Sequence, residues 1–118
     1  MVIKIKRAYE KSDKSDGCRI LVDNLWPRGV KKENADIDLW LRDIAPSKEL
    51  REWFSHDPKK WNAFKRKYFM ELNRKEDAVD KLEENIVKNK NITLIYSSRD
   101  KDKNNAKALK DYIDCLNA

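Results

Sequence analysis

Residues 92–96 have the sequence Ile-Thr-Leu-Ile-Tyr, and the fold class can be inferred from this segment. It combines β-branched and aromatic residues without a charge, and polar residues bound it on both sides, as is typical of a strand. A continuous apolar strand is usually central and parallel, in a sheet that helices cover. We therefore predict an α/β fold built around a small, mostly parallel sheet.

Two earlier segments supply further strands. Residues 2–6 alternate apolar and basic side chains, which predicts a strand with one wet face. Residues 19–22 (Arg-Ile-Leu-Val) predict a short strand that is buried on both faces. The polar residues 10–17 between them are expected to form a surface connection, and a loop follows from Asp23 to about Asp36.

Helices account for most of the remaining chain. Ser47 is a suitable N-cap for one helix, and Asp57-Pro58 is a typical start for a second. Residues 75–88 and 104–116 carry apolar side chains at helical spacing. Strands separated by helices predict a Rossmann-like three-layer arrangement, and a length of 118 residues predicts a single domain over 1–118.

Composition limits the classes of partner. The chain has 27 Lys or Arg and 21 Asp or Glu, a net charge of +6, without a basic tail. Interleaved charges describe a solvated surface that favours anionic partners mildly. No apolar run approaches the length of about 18 residues that crossing a bilayer needs, and no signal peptide is recognisable. We expect a cytoplasmic protein without a membrane partner.

The sequence offers no pattern for a metal or a cofactor. It has one histidine, and Cys18 and Cys115 lie too far apart in sequence for a metal knuckle. We expect both to be free thiols, buried or half-buried. The two glycines form neither a dinucleotide-binding pattern nor a phosphate-binding P-loop. We therefore predict no cofactor and no metal.

Polar residues follow the second and last predicted strands. Parallel strands bring such loops together beyond their carboxyl ends, where ligands bind in open sheets. Two arginines, hydroxyls, a carboxylate and a helix N-terminus suit the capture of an anionic small molecule. The candidates for this crevice are Asp23, Trp26, Arg28, Ser97, Ser98, Arg99 and Asn104. His56 is a further candidate, because its side chain titrates near neutral pH.

Each candidate also has a structural interpretation. Asp23 is either an acid, base or metal ligand, or a structural residue that pairs with Arg28 or caps a turn. Residues 97–98, both serine, are either nucleophiles or acceptors for loop amides. His56 is either a general base or part of a helix start, and Trp26 is either a lid over a ligand or a plug on the core.

A nucleic-acid-binding module is one alternative from another class, and a protein-interaction domain is a third. The segment from Lys65 to Lys75 gives one helix a basic face that could meet a phosphate backbone. Trp53 and Trp61 could stack on bases, but they lie on predicted core stripes.

The chain resembles the YeaO-like family, in the superfamily termed domain of unknown function 488. The resemblance is carried first by residues 19–23 and 25–29, with the sequences RILVD and LWPRG. Residues 45–47, 53–54, 56–58 and 93–97 continue it, so it covers nearly the whole chain.

This resemblance implies a compact Rossmann-like α/β domain of a family without an agreed biochemical activity. It implies that one group of residues acts together: Asp23, Trp26, Arg28, Arg51, Tyr96, Ser97 and Asn104. The chain has Asn24 where the family usually has Arg, and Asn105 where it usually has His. We predict an anion-binding crevice. If the crevice serves catalysis, Asp23, Arg28 and Ser97 carry the reaction and the other candidates bind the ligand.

Overall fold

Four parallel strands form one sheet in the computed structural model, which describes residues 2–117. The strands are β1 (Val2–Arg7), β2 (Cys18–Leu21), β3 (Leu39–Trp40) and β4 (Asn91–Tyr96). Their spatial order is β1-β4-β2-β3, and every pair is parallel. The predicted α/β class and the central, parallel β4 are confirmed, whereas β3 was not predicted.

Within residues 2–117 the chain forms five α-helices around this sheet. They are α1 (Lys32–Ala35), α2 (Lys48–Phe54), α3 (Trp61–Arg74), α4 (Glu76–Lys88) and α5 (Asn105–Leu116). The Ser47 hydroxyl accepts a hydrogen bond from the Leu50 amide, which confirms the predicted start of α2. The helix predicted to start at Asp57-Pro58 begins instead as a 3₁₀ turn, and α-helical geometry starts at Trp61. None of these helices has the length and apolar character needed to cross a membrane.

The two faces of the sheet differ in chemistry. Side chains alternate along β4, so Ile92, Leu94 and Tyr96 share one face. That face packs in the main apolar core with residues of α2, α3, α4 and α5. The opposite face carries Thr93, which lies in register with Lys4 of β1 and Arg19 of β2. The sheet therefore has an apolar face and a polar face.

A buried carboxylate organises the polar face. Asp16 is 2% exposed and forms a salt bridge of 2.5 Å with Arg19 and one of 3.1 Å with Lys6. Lys4 lies 3.7 Å from the same carboxylate. We call Lys4, Lys6, Asp16 and Arg19 the Asp16 cluster. Residues 10–17 were predicted to be a surface connection and β1 to have a wet face, but Asp16 covers that face and leaves both lysines half-buried.

Gly17 brings the Asp16 cluster against the sheet. Its φ of 65° is in the left-handed region, which glycine adopts without strain. A Cβ at this position would lie 2.2 Å from the Asn91 carbonyl oxygen at the start of β4. The close approach of the connection to β4 therefore requires glycine.

The two cysteines are free thiols in different environments. Cys18, at the start of β2, is half-buried as expected. Cys115 is exposed, which corrects the expectation that both would be at least half-buried. The buried side of α5 is formed by residues such as Leu109 and Ile113, and Cys115 lies outside that stripe.

Candidate functional site

The carboxyl ends of β2 and β4 meet at one edge of the sheet. The two strands pair in parallel register, with Leu21 opposite Ile95, and the Val22 amide extends the ladder to the Ile95 carbonyl at 3.0 Å. A cavity of about 950 Å³ lies beyond this edge. Residues after β2, residues after β4 and the end of α2 line it, so the two loops do face one space. We call it the site cavity.

Nine of the ten residues predicted for the site line this cavity. They are Asp23, Trp26, Arg28, Arg51, His56, Ser97, Ser98, Arg99 and Asn104. The tenth, Tyr96, does not line it, because its side chain is on the apolar face of β4 and is 2% exposed. Burial, followed by the nearby charge of Glu10, raises the pKa of the Tyr96 hydroxyl. The strand pattern places this tyrosine in the core.

Asp23 joins the two loops at the base of the cavity. One carboxylate oxygen accepts hydrogen bonds from the Ser97 amide (3.0 Å) and the Ser97 hydroxyl (2.6 Å). The other accepts a hydrogen bond of 3.0 Å from the side-chain amide of Asn105. Asn105 thus holds Asp23 through a neutral donor. The ends of β2, β4 and the start of α5 are tied together at this carboxylate.

Trp26 forms part of the wall of the cavity. Its indole N–H donates to the Val30 carbonyl at 2.7 Å, which closes the loop after β2 on itself. Its ring meets the edge of Trp40 with centroids 5.6 Å apart. Trp26 is half-buried, so it both packs on the protein and lines the cavity.

Three guanidinium groups reach the cavity from separate elements. Arg28 follows β2, Arg51 lies in α2, and Arg99 follows β4; Arg28 and Arg99 are exposed. Arg51 donates one hydrogen bond of 3.3 Å to the Pro46 carbonyl. Among residues 2–117, no carboxylate lies within the 4.0 Å of an ion pair with any of the three. Their charge is therefore available to a ligand.

The loop after β4 is fixed by its own hydrogen bonds. The Asp100 carboxylate accepts from the Lys103 and Asp102 amides, each at 2.9 Å, and these bonds lower the pKa of Asp100. Asn104 caps α5 through a hydrogen bond of 2.8 Å from the Lys107 amide, and its own amide donates to the Asp100 carbonyl. Asn104 is 2% exposed, so its main contribution is to shape the loop.

His56 is at the rim of the cavity on an unusual backbone. Ser55 and His56 both have positive φ values, 45° and 56°, immediately after α2. Consecutive left-handed residues other than glycine are uncommon and store strain of about 1 kcal/mol or more each. This turn presents the exposed His56 ring to the cavity, 6.3 Å from the ring of Phe54.

The structure adds residues that the sequence did not indicate. Arg7, at the end of β1, donates to the carbonyls of Ser98 (2.8 Å) and Ser97 (3.2 Å) and so supports the loop after β4. Tyr9 lines the cavity, and its hydroxyl donates to the Arg28 carbonyl at 2.9 Å. Phe54, a buried residue of α2, also lines the cavity. These contacts join segments that are far apart in the sequence, so no local motif indicates them.

The donors around the cavity suit an anion better than a metal ion. In the described part of the chain, no group of three or more His, Cys, Asp or Glu could hold a metal. Guanidinium groups bind phosphoryl and carboxylate oxygens through paired N–H donors. The fold and this cavity together define a class, a parallel α/β protein with a cavity at the carboxyl edge of its sheet that arginines and carboxylates line.

Comparison with known proteins places the chain in a family. Residues 2–116 match the family described as the inactive DUF488-N3 subclade, and the chain belongs to it. The chain is 40% identical to the uncharacterized protein YeaO of Escherichia coli (strain K12) over 116 residues, 98% of this chain and 100% of YeaO. It is 44% identical over 70 residues to uncharacterized proteins of Mycobacterium tuberculosis and Mycobacterium bovis, 59% of each chain. No solved structure matches it significantly.

Proposed function

We propose that the site cavity binds a phosphorylated, nucleotide-like small molecule. One observation carries this proposal: Arg28, Arg51 and Arg99 converge on a single cavity without a carboxylate partner among the described residues. The carboxylates of Asp23, Glu52 and Asp100 also line the cavity, but none of them pairs with these arginines, so an anion with several oxygens can accept the arginine hydrogen bonds.

The walls of the cavity support the same ligand class. Trp26 and Phe54 contribute aromatic surface beside the cations. Aromatic side chains can stack on a base, whereas the arginines would bind the phosphoryl oxygens. A ring joined to a phosphoryl group therefore matches both kinds of surface.

Hydrogen bonds within the protein hold Asp23 and Ser97 together. Asp23 and Ser97 bond to each other, and a third bond from Asn105 occupies the remaining carboxylate oxygen. These bonds fix both side chains as part of the cavity wall, as a binding role requires. The description of the family as inactive agrees with a binding role. Catalysis by Asp23, Arg28 and Ser97 stays a prediction.

Calorimetric titration with adenosine 5′-monophosphate tests the proposal. We expect saturable binding by the wild-type protein that weakens by about tenfold in Arg28→Gln and again in Arg99→Gln, because each loses a charged hydrogen-bond donor. Arg66→Gln is the matched control. Arg66 is an exposed arginine of α3 outside the site cavity, so its loss should leave the affinity unchanged.

Two results would contradict the proposal. One is the absence of binding to adenosine monophosphate and to inorganic phosphate at concentrations up to about 10 mM, which already exceeds a millimolar dissociation constant. The other is an equal loss of affinity in Arg28→Gln and Arg66→Gln. Equal losses would indicate attraction by net charge and no defined site.

No observation favours the nucleic-acid alternative. Of the cations between Lys65 and Lys75, Lys65 pairs with Asp111 at 2.7 Å and Lys75 donates to the Ala45 carbonyl at 2.7 Å. The ends of the predicted basic face are thus engaged within the protein. Trp53 is 38% exposed, which corrects its assignment to the core, and Lys60 and Lys67 cover its ring at 5.0 Å.

A further inference from the structure

A second cavity adjoins the site cavity on the other side of Arg51. It has a volume of about 790 Å³ and lies between the start of α2, the turn before it and the junction of α3 with α4. Asn24, Ala45, Pro46 and Arg51 line both cavities. We call this second cavity the flank groove. A ligand can therefore extend from one to the other along a shared wall.

Arg51 is placed to serve both spaces. It is half-buried in the last turn of α2, and its Nε donates to the Pro46 carbonyl at 3.3 Å. That bond uses one of the five N–H donors of a guanidinium group. Arg51 lines both cavities, and its remaining donors have no carboxylate partner in residues 2–117.

The flank groove has a second arginine on a rigid support. The guanidinium of Arg42 lies 4.1 Å from the centroid of the Trp40 ring. The Trp40 indole N–H in turn donates to the Asp23 carbonyl at 2.7 Å, next to the base of the site cavity. A stacked guanidinium keeps its edge donors free and loses less freedom when it binds an anion. Arg42 is therefore fixed in place relative to the site cavity.

Cations exceed carboxylates along the groove. The basic residues are Arg42, Lys48, Arg51, Arg74 and Lys75, and the acidic residues are Asp43, Glu76 and Asp77. Lys75 is held by the Ala45 carbonyl, whereas Arg74 is exposed and has no ion pair with a described residue. The net charge of these lining residues is positive, so the flank groove favours an anionic group over a cation.

We infer that the ligand carries a second phosphoryl group, separated from the first, and that the flank groove binds it. This inference rests on the proposed function of the site cavity and extends it to a class, the nucleoside bisphosphates with phosphoryl groups at two ends. The first group lies with Arg28 and Arg99, and the second lies with Arg42 and Arg74. Arg51 stands between the two groups.

The test compares three ligands by calorimetric titration of the full chain. Adenosine 5′-monophosphate has one phosphoryl group, adenosine diphosphate has two at one end, and adenosine 3′,5′-bisphosphate has two at separate ends. We expect the 3′,5′-bisphosphate to bind at least about tenfold more tightly than the monophosphate, as a further set of charged hydrogen bonds allows. Arg42→Gln and Arg74→Gln should each remove much of that advantage while leaving monophosphate affinity unchanged.

Controls separate a defined groove from general attraction. Arg66→Gln removes the same charge from α3 outside both cavities and should leave all three affinities unchanged. Thermal unfolding of each variant confirms that it is folded, and Arg74→Gln, which does not disturb the Trp40 stack, provides an independent arm.

The outcomes distinguish the two proposals. Equal affinity for the monophosphate and the 3′,5′-bisphosphate would overturn the flank groove and leave the site cavity intact. If Arg42→Gln weakens the binding of adenosine diphosphate as much as that of the 3′,5′-bisphosphate, the ligand class with two separated phosphoryl groups is overturned. If none of the three ligands binds, the site cavity itself fails, and this inference fails with it.

Discussion

The Asp16 cluster and the site cavity both have basic side chains near strand β2, but among the described residues these side chains have a carboxylate partner only in the cluster. In the cluster, Arg19 and Lys6 meet a carboxylate at 2.5 Å and 3.1 Å, and Arg19 is 4% exposed. Around the cavity, Arg28 and Arg99 are exposed and have no carboxylate within ion-pair distance among residues 2–117.

This difference separates charges that stabilise the fold from charges that remain free to bind. A buried charge needs a partner because its loss of hydration is otherwise too costly. An exposed arginine has no such need, so a group of them facing one cavity requires another explanation. The comparison predicts that stability depends on the cluster and ligand affinity depends on the cavity.

The largest effect on stability is expected for Asp16→Asn. The substitution leaves Arg19 and Lys6 without a counter-charge on the polar face, so the free energy of unfolding should fall by about 4 kcal/mol. Urea denaturation at neutral pH measures it. Asp80→Asn, at an exposed position of α4, is the control and should change stability by less than about 0.5 kcal/mol. A loss as small as that of the control would contradict the role of the cluster.

A slightly smaller loss is expected for Gly17→Ala. The added methyl group clashes with the Asn91 carbonyl, and alanine is strained at a φ of 65°. Together these effects should lower the free energy of unfolding by about 3 kcal/mol. Gly29→Ala is the matched control, because Gly29 also has a positive φ but a Cβ there meets nothing within 4 Å. Equal losses would show that strain alone acts at Gly17.

The pH dependence of stability should identify Asp16 as well. Burial raises the pKa of Asp16, but hydrogen bonds from the Asp13 amide, Lys6 and Arg19 outweigh it and hold the pKa below its ordinary value. A lowered pKa in the folded protein means that this stability is present above the unfolded pKa of about 3.9 and is lost as the pH falls through the folded pKa. The difference in stability between wild type and Asp16→Asn should therefore shrink in acid. A constant difference would contradict the assignment.

A modest gain in stability is expected for Ser55→Gly. Ser55 ends α2 in the left-handed region, where glycine is the preferred residue, so the free energy of unfolding should rise by about 1 kcal/mol. Thermal unfolding measures this gain. Ser55→Ala, which keeps the strain, should show none, and a gain in both variants would point to the hydroxyl instead.

The smallest effect on stability is expected for Arg28→Gln combined with Arg99→Gln. Neither side chain has an ion pair to lose within residues 2–117, so the free energy of unfolding should stay within about 0.5 kcal/mol of wild type. Urea denaturation without ligand measures this free energy of unfolding and that of Asp16→Asn under the same conditions. A loss comparable to that of Asp16→Asn would remove the distinction between the two regions.

The sequence predicted those parts of the fold that local patterns determine. The uncharged run of β4 and the helical stripes of α3, α4 and α5 mark their elements directly. By contrast, β3 has two residues and depends on partners far along the chain, as in the hydrogen bond from the Leu41 amide to the Leu21 carbonyl. A strand of two residues is too short to show the alternation of side chains from which a strand is predicted.

The candidate site was predictable for a topological reason. Parallel neighbours must end at the same edge, so residues after β2 and β4 lie together whenever those strands pair. Tyr96 does not line the cavity, because strand alternation directs this side chain into the core. The sequence did not indicate Arg7, because the carbonyls of Ser97 and Ser98 that it supports lie 90 and 91 positions away along the chain.

The contact of Arg7 with the loop after β4 makes the cavity depend on a strand that does not line it. Its guanidinium holds two successive carbonyls immediately before Arg99, from an outer strand that pairs on one side alone. Fraying of that outer strand would release the loop and let the cationic groups drift apart. Ligand affinity should thus report on the integrity of the first strand, and a bound anion should in turn slow amide hydrogen exchange along it.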